Sequence, residues 1–227
     1  MDNINKYWNK IANDEPYWGV LTNNMFKNVN IEQNKNKYFL TGLDNKKFMF
    51  NYLDKLSWSL VKYNNILEIG CGTGRISVHT TPLCKKQYCV DISDKYIELC
   101  KYELELYGSN NFEMVNYSNF YKPDIFENVA LIYTFITLQH NPPNEILKIV
   151  KKICELLMKD GIAFVHIPYY IPNYKYVDAL VMQMNMVPTY EVINIIDNNS
   201  CKILSIDESH DYCGGNIKNC VYIFKKI

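Results

Sequence analysis

The sequence predicts a doubly wound α/β domain, and three observations predict it. Apolar strand-like runs alternate with helix-like periodic segments, the first run breaks into closely spaced glycines, and the second run ends on an acid. Glycines 70, 72 and 74 take alternate positions in the stretch "NNILEIGCGTGRIS", three of only nine glycines in 227 residues. A strand that breaks into glycines and then returns to helix-compatible residues is a ligand-binding turn, because ligands of open α/β sheets sit beyond the carboxyl ends of the strands.

The elements follow in order. Residues 1–43 are polar, rich in Asn and punctuated by Tyr7, Trp8, Tyr17, Trp18, Phe26, Tyr38 and Phe39. They read as an N-terminal cap, helical in parts, its aromatic rings serving either as a lid over a ligand or as a staple. Residues 44–227 read as the main domain, the whole forming a single compact unit. From 44 to 63, Phe48, Phe50, Tyr52, Leu53, Leu56 and Leu60 recur at helical spacing. Ile66-Leu67-Glu68-Ile69 is short, apolar and bounded by turn signals, as a buried parallel strand over 65–69 requires. A short helix follows the glycines, and "QYCVDIS" is the second strand, ending at Asp91. Ser93-Asp94 cap a helix that Gly108 terminates. Residues 111–118 and 128–136 are the third and fourth strands. Pro142-Pro143 open a helix through about Met158, stopped by Lys159-Asp160-Gly161, and 162–168 is the fifth strand. A helix from Pro188 to about Asn199 and strands near 201–206 and 217–225 close the chain. This alternation means a mostly parallel sheet with helices on both faces.

Bulk properties exclude several classes. The formal net charge is zero and Arg75 is the only arginine, so the bidentate clamps of nucleic-acid readers are missing and no nucleic-acid partner is expected. No apolar run approaches the ~18 residues of a membrane span, and the first residues lack the pattern of a signal peptide. Eight scattered cysteines form no CxxC pair or metal-like spacing. The expectation is a cytoplasmic protein with free thiols, no membrane insertion and no metal.

Two nucleotide ligands compete for the turn, since both carry adenosine. A dinucleotide fingerprint needs GxGxxG, but here its third glycine falls on Arg75, too bulky for that role. Glu68, just before the glycines, would repel a pyrophosphate and welcome the cationic amine and sulfonium of S-adenosylmethionine. Asp91 stands where a carboxylate accepts hydrogen bonds from ribose hydroxyls.

Together "ILEIGCGTGR", "VDIS", "ALIYTFITLQHNPP" and "LMKDGIAFV" resemble a class I S-adenosylmethionine-dependent methyltransferase over about residues 50 to 225. In look the chain is similar to bacterial small-molecule and sugar methyltransferases of surface-polysaccharide pathways, which share the "LQH" block and an aromatic N-terminal cap. The resemblance implies a Rossmann-like methyltransferase fold with a seven-stranded sheet whose last strand is antiparallel, S-adenosyl-L-methionine as donor and S-adenosyl-L-homocysteine as product. It implies Glu68, Gly70, Cys71, Gly72 and Gly74 near the methionine moiety and Asp91 with Ile92 on the ribose. Asn116, Tyr117 and Thr134 complete the expected cofactor contacts. Where that family often has an acid for the adenine amino group, this chain has Asn116-Tyr117-Ser118; Asn116 either makes that contact through its side-chain carbonyl or is a strand-end turn residue.

Methyl transfer is an in-line displacement, for which alignment alone supplies roughly 7–11 kcal/mol of the barrier. A hydroxyl nucleophile gains a further ~10²–10⁴ from a positioned base. His140, in the loop after the fourth strand, is the candidate, either as base or as a pocket-shaping residue; His166 on the fifth strand is the second. His210 and Asp211 belong to a loop that can simply be solvated, and His79 is assigned no chemistry. Asn141-Pro142-Pro143 resembles an amino-methyltransferase NPPY motif but begins past the strand and has Asn144 in the aromatic position, so it reads as helix initiation. Tyr17, Trp18, Tyr169 and Tyr170 are the candidate substrate contacts. The rings after the fifth strand either stack on a sugar, with the methionines of 182–186 lining a deformable lid, or cover the core or a second copy in a homodimer. The expected function is O-methylation of a small polar acceptor: a sugar, a nucleotide-linked sugar or a phosphorylated compound. Small-amine N-methylation and a catalytically silent cofactor-binding subunit are the alternatives, and a NAD-linked oxidoreductase is disfavoured by Arg75.

Overall fold

The computed structural model describes residues 2–60, 64–177, 183–208 and 216–227. It has a mixed seven-stranded sheet with helices, an α/β fold in two compact units, Met1–Ile125 and Phe126–Ile227.

The first unit opens with α1 (Asp2–Asp14) and α2 (Pro16–Val20), followed by α3 (Asn28–Lys55). The helix expected over 44–63 is the second half of α3, which begins sixteen residues earlier and runs through the expected 43/44 boundary. Gly42 permits this course: a Cβ there would stand 1.9 Å from the Arg75 carbonyl oxygen, so only glycine lets α3 lie against the end of the glycine turn. The strands β1 (Asn65–Ile69), β2 (Gln87–Asp91) and β3 (Phe112–Asn116) pair in parallel in the order β3-β2-β1. The register sets Ile69 opposite Val90 and Asp91 opposite Asn116, so β2 and β3 end together and β1 one residue earlier. The short helix α4 (Ser77–Thr80) follows the glycines.

Between β2 and β3 lies α5 (Asp94–Leu106). Its start is the expected one: Ser93 Oγ accepts from the Tyr96 N–H at 3.1 Å, an N-cap worth about 1 kcal/mol. Its end is also the expected one, with Gly108 at φ +75° and the Ser109 N–H donating to the Leu104 carbonyl at 2.9 Å. The stripe Tyr96, Cys100, Glu103 and Leu104 is buried, and Cys100 and Leu104 join Tyr38, Phe39, Cys71 and Cys89 in the unit's core. The seven described cysteines are free and buried.

The second unit holds β4 (Val129–Thr134), α6 (Pro143–Leu156), β5 (Leu157–Tyr170), α7 (Thr189–Asn198), β6 (Cys201–Asp207) and β7 (Lys218–Lys226). β4 and β5 are parallel, whereas β7 is antiparallel to both β5 and β6, so the sheet is mixed. Pro143 is the first residue of α6, which buries Ile146, Ile149, Val150, Ile153 and Cys154 on one stripe. One boundary differs from expectation. Lys159-Asp160-Gly161 does not stop a helix but lies within β5, which starts at Leu157. The chain absorbs the turn signal as a bulge: Asp160 takes φ +62°, the register with β4 shifts between Val129 and Leu131, and a Cβ on Gly161 would stand 2.9–3.1 Å from three carbonyl oxygens. The methionine at 182 and the residues His210 and Asp211 lie outside the described residues.

Candidate active site

The glycine turn is built by hydrogen bonds from β2. The Gly70 and Cys71 N–H groups donate to the Val90 carbonyl at 2.8 and 3.0 Å, which folds the chain back over the end of the sheet. Gly72 takes φ +52°, and a Cβ there would stand 2.8 Å from Val20 of α2. The turn therefore needs glycine twice over at this position, for its dihedral and for the close approach of α2.

Asp91 locks the turn to the next strand. Its Oδ2 accepts from the Gly72 N–H and its Oδ1 from the Ser93 N–H, both at 2.9 Å. Burial pushes its carboxyl up to about 6, with these N–H groups pulling the other way. Each oxygen retains lone-pair capacity beyond the backbone bond, which fits a pair of ribose hydroxyls. Glu68 is buried in β1, and its Oε2 accepts from Ser77 Oγ and from Gln87 Nε2 at 3.4 Å. Gln87 Oε1 in turn accepts from the Thr80 hydroxyl at 2.8 Å, so Glu68 anchors a polar network beneath the turn.

At the end of β3, Asn116 behaves as a turn residue. Its Oδ1 accepts from the Ser118 N–H at 2.8 Å and its Nδ2 donates to Asp94 Oδ1 at 2.6 Å. The carbonyl considered for adenine thus caps the turn that begins with Tyr117, whose ring stacks on Phe120 at 5.5 Å.

The N-terminal helices supply residues that the sequence reading missed. Asn5 Nδ2 donates to the Ile92 carbonyl at 2.5 Å, and Asn9 Oδ1 accepts from Ser93 Oγ and the Lys95 N–H at 2.9 and 3.2 Å. α1 is thereby fastened to the turn that follows Asp91. The available signal was the spacing of Asn5, Asn9 and Asn13, which puts three amides on one helix face. Tyr17 donates to Glu103 Oε1 at 2.5 Å and packs edge-on against Tyr38 at 5.1 Å, while Tyr38 meets Thr73 of the glycine turn through a 2.6 Å hydroxyl contact. Lys35 completes the Glu103 cluster at 2.6 Å. Trp18 lies under the Lys27 ammonium at 5.8 Å. Both aromatics of α2 are thus engaged with neighbours in their own unit.

In the second unit Thr134 ends β4 fully buried, and its hydroxyl has no hydrogen-bond partner among the described residues. His140 closes a 3-10 turn over Leu138–His140. Burial lowers its pKa to about 4 against a backbone hydrogen bond with Gln183, so the imidazole is neutral at pH 7. The segment of Gln183 is tied to the turn, the Asn185 N–H donating to the Gln139 carbonyl at 2.7 Å. His166 is fully buried in β5; its Nε2 meets Asn219 Oδ1 at 2.7 Å and its Nδ1 accepts from the Ile136 N–H at 3.4 Å. Both nitrogens of His166 are thus engaged with neighbours in its own unit. Asn141 turns its amide back to the Thr137 and Leu138 carbonyls at 3.3 Å, in keeping with helix initiation. Tyr169 donates to Glu208 at 3.0 Å, and the exposed Tyr170 ring lies under Lys218 at 5.9 Å. Among the described residues no three His, Cys, Asp or Glu side chains form a metal-ligand group, and no helix is long and apolar enough to cross a membrane.

Comparison with known proteins places this geometry. Residues 66–161, from β1 through the glycine turn to the start of β5, match the family described as "Methyltransferase domain". No curated protein matches the chain at significant similarity. Among solved structures, magnesium protoporphyrin IX methyltransferase (ChlM) from Synechocystis PCC 6803 with bound SAH is 12% identical, with a TM-score of 0.70 over 100% of this chain and 99% of that one. The N-methyltransferase NodS from Bradyrhizobium japonicum WM9, in complex with S-adenosylhomocysteine, is 15% identical with a TM-score of 0.63 over 99% of both chains. A S-adenosylmethionine-dependent methyltransferase from Clostridium acetobutylicum is 13% identical with a TM-score of 0.62, over 79% of this chain and 89% of that one. At these identities the shared property is the fold. The matched domain and the fold together define the class: a S-adenosylmethionine-dependent methyltransferase, with S-adenosylmethionine as its cofactor.

Proposed function

We propose that the chain methylates a hydroxyl oxygen of a small polar acceptor, a sugar, nucleotide-linked sugar or related phosphorylated compound. The glycine turn 70–74 with Glu68 holds the methionine end of the cofactor, Asp91 and Ile92 the ribose, Tyr117 the adenine, and residues 1–43 act as the cap on the domain 44–227. Cofactor supplies an electrophilic methyl on a cationic sulfur. The acceptor oxygen forms the new C–O bond, the electrons of the broken C–S bond return to sulfur, and the hydroxyl proton passes to His140 and then to solvent.

The observation that carries the acceptor side is His140: a neutral imidazole in the turn just after β4, pushed down to about 4 and so unprotonated throughout the neutral range. His140→Ala is expected to lower turnover about a hundredfold while leaving S-adenosylhomocysteine affinity unchanged. Wild-type turnover in that variant would remove the base.

The same low basicity favours a second reading. A base with pKa about 4 is a weak acceptor for a hydroxyl proton, whereas an amine that reaches the site unprotonated needs no base. Under that reading, turnover rises with pH through the amine's own titration and is insensitive to His140→Ala. A surface-polysaccharide role rests on the sequence resemblance and is tested by assaying nucleotide-linked sugars as acceptors.

A further inference from the structure

The start of β7 carries a buried donor that no described residue uses. A backbone N–H can only donate, so the contact from Ile136 N at 3.4 Å requires His166 Nδ1 to be unprotonated. The imidazole is neutral and carries its proton on Nε2, in keeping with a pKa pushed down to about 4 by burial. The Nε2–H then donates at 2.7 Å to Asn219, and the atom that receives it must be the carbonyl oxygen. The amide cannot flip without setting N–H against N–H. Asn219 Nδ2 is therefore fixed in direction, and it has no hydrogen-bond partner among the described residues although Asn219 is only 3% exposed.

A buried donor left without a partner is destabilising, because its lost hydration is not replaced. The backbone around it is also strained: Ile136, whose N–H starts the relay, is a β-branched residue at φ +55°. Strained backbone clusters at functional sites, and an unmet buried donor beside it calls for a partner. The register gives its place. Asn219 stands opposite Pro168 at the carboxyl end of β5, directly before Tyr169 and Tyr170. His166 and Pro168 of β5 share a sheet face with Asn219 and Val221 of β7.

We infer that Asn219 is an acceptor-recognition residue: its side-chain N–H donates to an oxygen of the methyl acceptor, a hydroxyl or phosphate oxygen, and His166 with Ile136 holds the amide in that orientation. His166 is thus a positioning residue. This assignment rests on the reading of the acceptor as an oxygen-rich small molecule.

The test uses the full-length chain loaded with S-adenosylhomocysteine. Nitrogen-15 NMR of the wild type should show His166 as the Nε2–H tautomer between pH 5 and 8; the Nδ1–H tautomer would overturn the inference. Glucose 1-phosphate and UDP-glucose, titrated separately, should move the Asn219 side-chain amide protons downfield and saturably. No shift with either probe also overturns it. Asn219→Asp keeps the acceptor for His166 and removes the donor. With S-adenosylmethionine, it should raise the KM of a methylated probe at least about tenfold, leaving S-adenosylhomocysteine affinity unchanged. A methylated sugar probe whose KM ignores Asn219→Asp sinks this assignment and leaves O-methylation standing. Methylation of ethanolamine alone, with KM raised in the variant, does the reverse.

Discussion

Among single residues, Asp91 carries the most information. Its two oxygens already hold the Gly72 and Ser93 N–H groups, and its burial lifts the carboxyl from the ordinary 3.8 to about 6. Protonation at lower pH removes acceptor capacity from the ribose position. S-adenosylhomocysteine affinity, measured by calorimetry, is therefore expected to be constant from pH 8 to 7 and to fall as pH drops through about 6. An affinity flat down to pH 5 would detach Asp91 from the ribose. The residue was legible in the sequence because a strand-end acid about twenty positions past the glycines is a local pattern. Its titration was not, since burial depends on α1 and α2 arriving from the N-terminus.

Among the elements, α3 matters most to the site. It passes Gly42 over the Arg75 carbonyl, and Arg75 Nη1 reaches back to Thr41 and Asn45 at 3.1 and 2.6 Å. On a free helix Gly42→Ala would gain about 1 kcal/mol of propensity. Here the new methyl would meet backbone at 1.9 Å, which cannot move as a side-chain tip does, so the clash wins. The variant is expected to lose roughly 1–3 kcal/mol in urea unfolding, with weakened S-adenosylhomocysteine binding because the glycine turn must shift. Net stabilisation would show that α3 is not held against the turn. Sequence periodicity found only the second half of α3. Its first half is polar and is kept helical by packing of Ile31, Tyr38 and Phe39, which no local pattern announces.

For the whole molecule, pH acts through buried groups of opposite sign. His140 and His166 both titrate near 4 in the folded chain, below the ordinary 6.5, so their contribution to stability is complete above pH 6.5 and is lost as pH falls towards 4. Each shift corresponds to about 3 kcal/mol. Asp91, raised to about 6, works the other way: its contribution is present below 3.8 and is lost as pH rises through 6. Two groups oppose one, so stability is expected to fall on acidification from pH 6.5 to 4. Asp91→Asn should steepen that fall, as read by urea unfolding across the range. A variant with a flatter profile than wild type would contradict the assignment.

The sequence alone determined the alternation of strands and helices, the glycine turn and the acid that follows it, because each is a short-range pattern set by backbone sterics and apolar periodicity. It also separated a sulfonium cofactor from a dinucleotide by the single position of Arg75. The tertiary structure decided what non-local pairing decides. Lys159-Asp160-Gly161 became a bulge inside β5 because β4 lay alongside to pair with it. His166, a candidate base by position, acquired two hydrogen-bond partners from Ile136 and Asn219, distant in sequence. Asn219 gained a fixed orientation from the proton on His166, through a contact 53 residues apart in the chain that no spacing rule could reach.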